Sequence, residues 1–528
     1  MKLLFLMDSP EYLRFFDSAI EELAARGHTV SIAVNSQRSK KPVGLEGLRA
    51  YADRVAVLGV VPECSGLWSE AGHTVRAVMD FVRFLHPSFS DARALRARMK
   101  RKVLPRAYRW LDAIPRLGSG TVRRLERVLT VAERAIPVCE PIRDFLRQQA
   151  PDVLLVSPLV VAASEQVDWI KAARACGIRT AVCVASWDNL TNKGLLRVEP
   201  DMVVVWNEAQ RGEARDYHYV DEQKIAVTGA QLFDRWFEKT VTRDRATFCE
   251  RVGLPTSAPF LLFTGSSSFI SESKAEVAFV RRWIQALRAS TDAQLHAMNV
   301  LVRPHPYNVH EWEHDPVADL PGVSVYPRRG YNPIEPDNRD DFFDSLYHCA
   351  AVVGINTSAM IEAGIVGRPV CSLLAPEFAG TQEGTIHFHH LVPEHGGFVR
   401  IAASIDEHIG HLTACLRDPQ ATRAQIDRFV ASFIRPHGVE RRATPIFADA
   451  IVRLGNTPAP AAEQSPAWRF LVWPFLLMAT ALAWLGDRLS DGSTVIRMRK
   501  RAESLGRRLR KRIARAGARW KRYFEEAW

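Results

Sequence analysis

Residues 350–374 read AAVVGINTSAMIEAGIVGRPVCSLL. An apolar run over 351–354 leads into Asn356, Thr357 and Ser358, then into a helical stretch, and a second apolar run begins at Val370. That order is strand, tight turn, helix and strand, the unit from which open parallel sheets are built. The turn delivers Asn356, Thr357 and Ser358 to the helix start, where unpaired backbone N–H groups and the positive end of the helix dipole favour an anion. Glu362 follows Ser358 by one helical turn on the same face. A carboxylate there reaches hydroxyls beyond a phosphate held at the turn, and a phosphate beside a diol describes a nucleotide ribose. Plain capping by Thr357 or Ser358, with Glu362 a solvated first-turn acid, is the alternative reading.

A second stretch points to the same kind of site. Val300, Leu301 and Val302 suit a buried parallel strand, and Arg303-Pro304-His305-Pro306 follows at its carboxyl end. In open α/β sheets that edge binds ligands. The two prolines fix the chain's path, so a guanidinium and an imidazole are presented with little freedom. Phe260–Thr264 predicts another strand, ending in Gly265-Ser266-Ser267-Ser268. Such a turn suits phosphate, with Ser266 and Ser267 as donors, and equally suits an ordinary connection.

Upstream, apolar runs predict strands over Leu3–Met7, Thr29–Val34, Arg54–Val61, Asp152–Val156, Arg179–Ala185, Met202–Trp206 and Ile225–Thr228. A helix is expected over 11–26 and a basic helical excursion over 73–148. Asp8 follows the first strand, and Ser186-Trp187-Asp188-Asn189 follows Arg179–Ala185. Asp8 and Asp188 are therefore candidates for the base that deprotonates an attacking hydroxyl, and Trp187 for a platform under a sugar or base. Aspartate is also a common turn and capping residue. His387-Phe388-His389-His390 lacks a carboxylate or cysteine partner at ligand spacing, so it reads as a loop beside the cleft and no metal site is expected.

RPHP, followed some fifty residues later by GINTSAMIEAGIVGRPV, resembles the carboxy-terminal donor domain of GT-B glycosyltransferases, nearest the bacterial capsule-synthesis and CDP-glycerol glycerophosphotransferase branch. The opening MKLLFLMDSPEYLRFFDSAIEELAARGHTVSIAV is similar to the amino-terminal strand, helix and strand of the same fold. The resemblance covers residues 1 to 450. It implies an α/β protein of two Rossmann-like domains facing a central cleft, a nucleotide-activated donor as substrate, no cofactor and no obligatory metal. It implies that Glu362 binds ribose, that Thr357 and Ser358 bind phosphate, and that His305 contacts donor phosphate or assists transfer. No second glutamate lies upstream of Glu362 in the spacing of the common retaining motif, so the stereochemical outcome is open. The candidate catalytic set is Asp8, Asp188 and His305. The donor-binding set is Ser266, Ser267, Arg303, His305, Asn356, Thr357, Ser358 and Glu362.

Composition agrees with a two-domain enzyme. The chain has 528 residues, 47% of them hydrophobic, enough to fill large cores. Neither GxGxxG nor GxxxxGK[ST] is present, which argues against a dehydrogenase and a P-loop NTPase. Eight cysteines, at 64, 139, 176, 183, 249, 349, 371 and 415, form no CxxC pair and read as reduced residues of a cytosolic protein. The first apolar stretch stops at Asp8, too short for a signal peptide. Of the net +11, residues 93–134 carry +10 and residues 497–522 carry +12, so the rest of the chain is net acidic. Two basic appendages on an acidic body suit an anionic surface, and nucleic acid is not expected as a partner.

The expected organisation is a Rossmann-like acceptor domain over 1–240, a nucleotide-donor domain over 241–455, a linker over 456–467, a hydrophobic helix over 468–486 and a basic amphipathic helix over 493–528. Phe470–Leu485 holds sixteen residues without a charge. As a helix it extends about 24 Å, short of the roughly 30 Å hydrocarbon core, and Trp468, Trp473 and Trp484 suit an interface. C-terminal membrane-associated helices dipping into an anionic leaflet on the cytoplasmic side are therefore expected, giving a peripheral or monotopic protein. The expected function is transfer of a sugar or glycerophosphoryl-type unit from a nucleotide-sugar or CDP-alcohol donor to a lipid-linked or polymeric envelope glycan. A nucleotide-sugar epimerase on the same fold and a non-catalytic membrane-tethered binder are the alternatives.

Overall fold

The computed structural model describes residues 1–35, 48–330 and 336–490. The apolar runs form two wholly parallel sheets. In the first, β1 (Lys2–Met7), β2 (Thr29–Val34), β3 (Val55–Val60), β4 (Val153–Ser157), β5 (Arg179–Cys183), β6 (Met202–Val205) and β7 (Ile225–Val227) lie in the order β3-β2-β1-β4-β5-β6-β7. In the second, β8 (Phe260–Thr264), β9 (Asn299–Arg303), β10 (Val323–Val325), β11 (Ala351–Gly354), β12 (Val370–Leu373) and β13 (Arg400–Ala402) lie in the order β10-β9-β8-β11-β12-β13. β4 is the middle strand of the first sheet, flanked by β1 and β5, and β8 and β11 form the middle of the second; β8 pairs in register with both β9 and β11. Helices cover both faces, so the inner strands are buried throughout, as parallel sheets require. Two Rossmann-like domains facing each other across a cleft make this the GT-B fold. The edge strands β10 and β13, three residues each, carry too short an apolar run to be read from sequence.

The helix expected over 11–26 is corrected. The chain forms a 3₁₀ turn over Pro10–Phe15 and then α1 (Asp17–Ala25). Phe16 lies between them at φ −132°, outside helical geometry, and buries its ring 4.8 Å from Phe5 and 6.1 Å from Phe447. The excursion between β3 and β4 contains α2 (Leu67–Arg83), α3 (Arg93–Lys102), a 3₁₀ turn over Arg106–Ala113 and α4 (Ser119–Ala135). It is tied to the first domain by buried Arg76, whose guanidinium donates to both Glu133 and Asp168, while Lys171 donates to Glu133. Removing one member of such a cluster strands a buried charge.

In the second domain α5 (Ala359–Ile365) follows β11. After it the chain returns to the first domain through α6 (Ala443–Asn456), whose Phe447, Ala448, Ile451 and Leu454 join the core beneath β1 and β2. Residues 443–456 thus belong spatially to the amino-terminal domain, although the sequence places them at the end of 241–455. The crossing is held by Asp234, fully buried, which accepts from Arg435 Nη2 at 2.8 Å, Ala443 N at 3.0 Å and Thr444 N at 2.7 Å. The stretch after α6 runs along the first domain, with Glu463 paired to Arg174 and Arg179 donating to Thr457. α7 (Arg469–Ser490) ends the described chain, a longer helix than the uncharged run suggests. The amphipathic segment expected over 493–528 lies outside the described residues.

The expectation of eight reduced cysteines is also corrected. Cys64 and Cys139 are joined as a disulfide, their Cα atoms 6.0 Å apart although 75 residues separate them in sequence. The excursion folds back on itself and brings them together, a proximity that spacing does not reveal. The other six are free.

Replacing Asp234 by alanine leaves Arg435 buried without its carboxylate and two N–H groups without an acceptor. Urea unfolding is expected to show a loss of about 3–5 kcal/mol. A loss under 1 kcal/mol contradicts the assigned role.

Candidate active site in the interdomain cleft

The carboxyl ends of the two sheets face each other across a cavity of about 590 Å³. Its second-domain wall includes Thr264 and Gly265 after β8, Arg303–Pro306 after β9, Arg339, Asp340 and Phe342 from the helix before β11, and Thr357, Ser358, Ala359 and Glu362 after β11. Its first-domain wall includes Arg14, Ser186, Trp187 and Trp206, with Phe233, Arg235, Trp236 and Lys239 from the segment after β7.

Each element has a local reason for its course. Gly265 passes so close to the RPHP loop that an added Cβ would lie 2.7 Å from His305 N, so the strand end and the loop share a boundary only glycine permits. The N–H groups of Thr357, Ser358 and Ala359 precede the first i→i−4 bond of α5, which runs from Glu362 N to Ser358 O. Ser358 stands at the N-cap position without capping, exposed at the cavity. α5 has only seven residues, so its dipole is modest and charged side chains must supply most of the field.

His305 Nδ1 accepts from Tyr307 N at 3.2 Å, which places the imidazole proton on Nε2. Burial, with the Arg14 guanidinium, pushes its pKa down to about 4, so at neutral pH it is an uncharged N–H donor. Burial pushes Glu362 up to about 8, against the opposing pull of Arg14. Arg303 is brought down to about 10 by burial and remains a cation. Its Nη1 donates to Ser345 Oγ at 2.9 Å and its guanidinium lies 5.4 Å from the Phe342 ring centre, so it is firmly positioned in the wall.

Arg14 is one of several wall residues that sequence reasoning missed, with Trp206, Arg235, Trp236 and Lys239. It lies on the 3₁₀ turn after β1, exposed at the cavity, and has no ion-pair partner among the described residues. Its position after β1, on the same sheet edge as Asp8, was the available signal, but the segment read as continuous helix. Lys239 also lines the cavity and pairs with Asp340 at 2.5 Å, an ion pair between the segment after β7 and the second domain.

The remaining expected residues are distributed unevenly. Thr357, Ser358, Glu362, Arg303, His305 and Trp187 line the cavity; Asp8, Asp188, Ser266, Ser267 and Asn356 do not. Ser266 is buried, its N–H donating to Glu276 Oε1 at 2.7 Å. Asn356 is buried and turned toward the loop at 381–387, its Nδ2 2.8 Å from Thr381 O and 3.3 Å from His387 Nε2. Asp8 lies at the end of β1, where its N–H donates to Ser157 O. Asp188 stands just behind Trp187. Burial draws its pKa upward, but Lys193, His387 and hydrogen bonds from Ser186 and Asn192 outweigh this and bring it to about 2. A carboxylate so stabilised is a weak proton acceptor. His387 lies 4.8 Å from the Trp187 ring centre, and His390 Nε2 meets Glu213 Oε1 at 2.5 Å.

No protein-family model matches the chain, and no curated protein does. Solved structures are similar along most of its length. UDP-GlcNAc 2-epimerase from Neisseria meningitidis aligns at 12% identity and TM-score 0.49, over 86% of this chain and all of that one. A glycosyltransferase from Rickettsia africae aligns at 10% identity and TM-score 0.48, over 87% and 99%. WaaG, a glycosyltransferase involved in lipopolysaccharide biosynthesis, aligns at 12% identity and TM-score 0.45, over 86% and 100%. At such identities and scores the likeness is one of chain path and carries no chemistry with it.

The Glu362 shift has a definite sign. A carboxyl whose folded pKa lies above its unfolded value favours folding at low pH, and that contribution is lost as pH rises from about 4.5 toward 8. Glu362→Gln removes the titration, so its melting temperature is expected to match the parent's near pH 4.5 and exceed it at pH 8 to 9. Parallel melting curves across that range contradict the shift.

Proposed function

We propose that the cleft holds a nucleotide-activated donor and that the protein transfers a sugar or glycerophosphoryl-type unit from it to a lipid-linked or polymeric envelope glycan. One observation carries this reading. A single cavity between two sheet edges gathers a guanidinium and loop N–H groups without hydrogen-bond partners among the described residues, an uncharged imidazole N–H, and a carboxyl one helical turn beyond them. Arg14, His305 Nε2–H and the N–H groups of 357–359 suit a diphosphate, and Glu362 beyond them suits ribose hydroxyls. Trp236, half-buried at the cavity, offers an apolar ring face for a base or sugar, whereas Trp187 and Trp206 are buried in the core that backs the wall.

In transfer, negative charge grows on the leaving diphosphate. Fixed donors aimed at that position lower the barrier without needing a metal ion. The acceptor is assigned to the first-domain wall, with Asp188, bonded by Asn189 and Asn192, behind Trp187. We place the reaction on the cytoplasmic side of a membrane, approached through residues 468–528, where a nucleotide donor and a lipid-linked acceptor meet.

The test is calorimetric titration with UDP, CDP and their sugar or alcohol conjugates. At least one is expected to bind, and Glu362→Ala and Arg14→Ala are each expected to weaken it about tenfold, the effect of losing one hydrogen bond in the neutral Glu362 case and one ionic contact in the Arg14 case. Undiminished binding in both variants sinks the site assignment. Donor converted to an epimer without acceptor would favour the epimerase reading, and binding without turnover the tethered binder.

A further inference from the structure

α7 is long and apolar enough by composition to cross a membrane, with mean hydropathy 1.6 over Arg469–Arg488. Its contacts show how it is placed. Val472, Trp473 and Leu476 pack with Leu129 and Ala132 of α4 and with Val75 and Met79 of α2. Trp473 Nε1 donates to Ala135 O at 2.8 Å, Tyr108 Oη donates to Ala479 O at 2.6 Å, and Arg106 N donates to Asp487 Oδ1 at 3.0 Å. Gly486 lies so close to the Arg106–Ala113 turn that a Cβ there would meet Ala107 Cβ at 2.6 Å. α7 is thus fastened along its length to the excursion.

Its opposite face is bare. Leu471, Phe475, Met478, Leu482 and Leu485 recur at intervals of four and three, one helical stripe, with Leu471 75% and Phe475 67% exposed. The stripe continues onto the neighbouring elements. Val128 and Val131, 67% and 45% exposed, lie four residues before Ala132 and Ala135, two of the α4 positions that meet α7. Trp110, on the turn that grips Ala479, is 62% exposed. Arg124, Arg127 and Arg134 are interleaved on α4, exposed and without ion-pair partners among the described residues.

We propose that α7, the outer face of α4 and Trp110 form one composite surface that lies flat in an anionic bilayer leaflet. Crossing is disfavoured because α7 would draw α4 and its exposed arginines into hydrocarbon. Lying flat puts the apolar stripe among acyl chains and the arginines at the headgroups. Charge selects the occupant. Residues 497–522 carry thirteen Lys/Arg against one acid, so this tail and a second copy of the surface are both repelled by the α4 arginines, whereas phosphate headgroups attract them. This gives the membrane part of the proposed function a defined surface and assigns lipid contact to α4, far from residues 468–528 in sequence.

The full-length protein is sedimented with vesicles of phosphatidylcholine containing one-third phosphatidylglycerol, without nucleotide, so that a failure here is separate from any failure of donor binding. Val128→Asp/Val131→Asp is expected to lower vesicle affinity about tenfold, and Val128→Leu/Val131→Leu to retain it. Both positions are exposed, and the aspartate variant's melting temperature should match the parent's. Parental affinity in the aspartate variant overturns the composite surface. So does a lipid-free dimer that the aspartate variant dissolves.

Discussion

The molecule depends on two parallel sheets being held with their carboxyl edges toward one another. A parallel strand must be followed by a crossover, so all the turns that leave a sheet's carboxyl edge gather on one side. One such edge makes half a site. The other half exists because Asp234 fixes the return of the chain to the first domain, accepting a buried guanidinium and two backbone N–H groups as α6 docks beneath β1. The Lys239–Asp340 pair links the domains again at the cavity wall.

The cavity so formed has an uneven charge balance. Arg303 is positioned by Ser345 and aromatic rings, and Lys239 is matched by Asp340, but Arg14 faces the space with no ion-pair partner among the described residues. Its field, added to burial, helps keep His305 uncharged, and it partly offsets the burial that raises Glu362. The acidic residues of the wall are matched as well, Asp17 by Arg235, Glu238 by Arg442 and Asp340 by Lys239, while burial raises Glu362, which leaves the donors to set the polarity an incoming diphosphate requires. Asp188, behind Trp187, is brought to about 2 by the charges of Lys193 and His387 and by hydrogen bonds from Ser186 and Asn192, against the opposing effect of burial, and so is a weak proton acceptor.

The excursion between β3 and β4 links this chemistry to the periphery. Arg76, bonded to Glu133 and Asp168, clamps it to the first domain. Arg98 of α3 stacks 4.2 Å over Phe269 of the second domain, so the same excursion touches both sides of the cleft. Because α7 is fastened to α2, α4 and the turn between α3 and α4, its exposed stripe has a fixed direction relative to the cavity mouth.

The apolar runs by themselves determined every central strand, because a strand buried on both faces has to be apolar along its length. RPHP and the Asn356-Thr357-Ser358 turn were legible for a related reason: strand ends followed by proline or hydroxyl residues mark the ligand edge of a parallel sheet. Tertiary structure alone decided which residues face the cavity. Thr357 and Ser358 line it while their neighbour Asn356 turns inward to the 381–387 loop, and Arg14 reaches it from a segment whose periodicity read as helix. It also decided the Cys64–Cys139 pairing and the placing of 443–456 in the first domain. Sequence pattern records each residue's local preference for apolar or polar surroundings, whereas a site consists of contacts between segments hundreds of residues apart, which only the packed chain specifies.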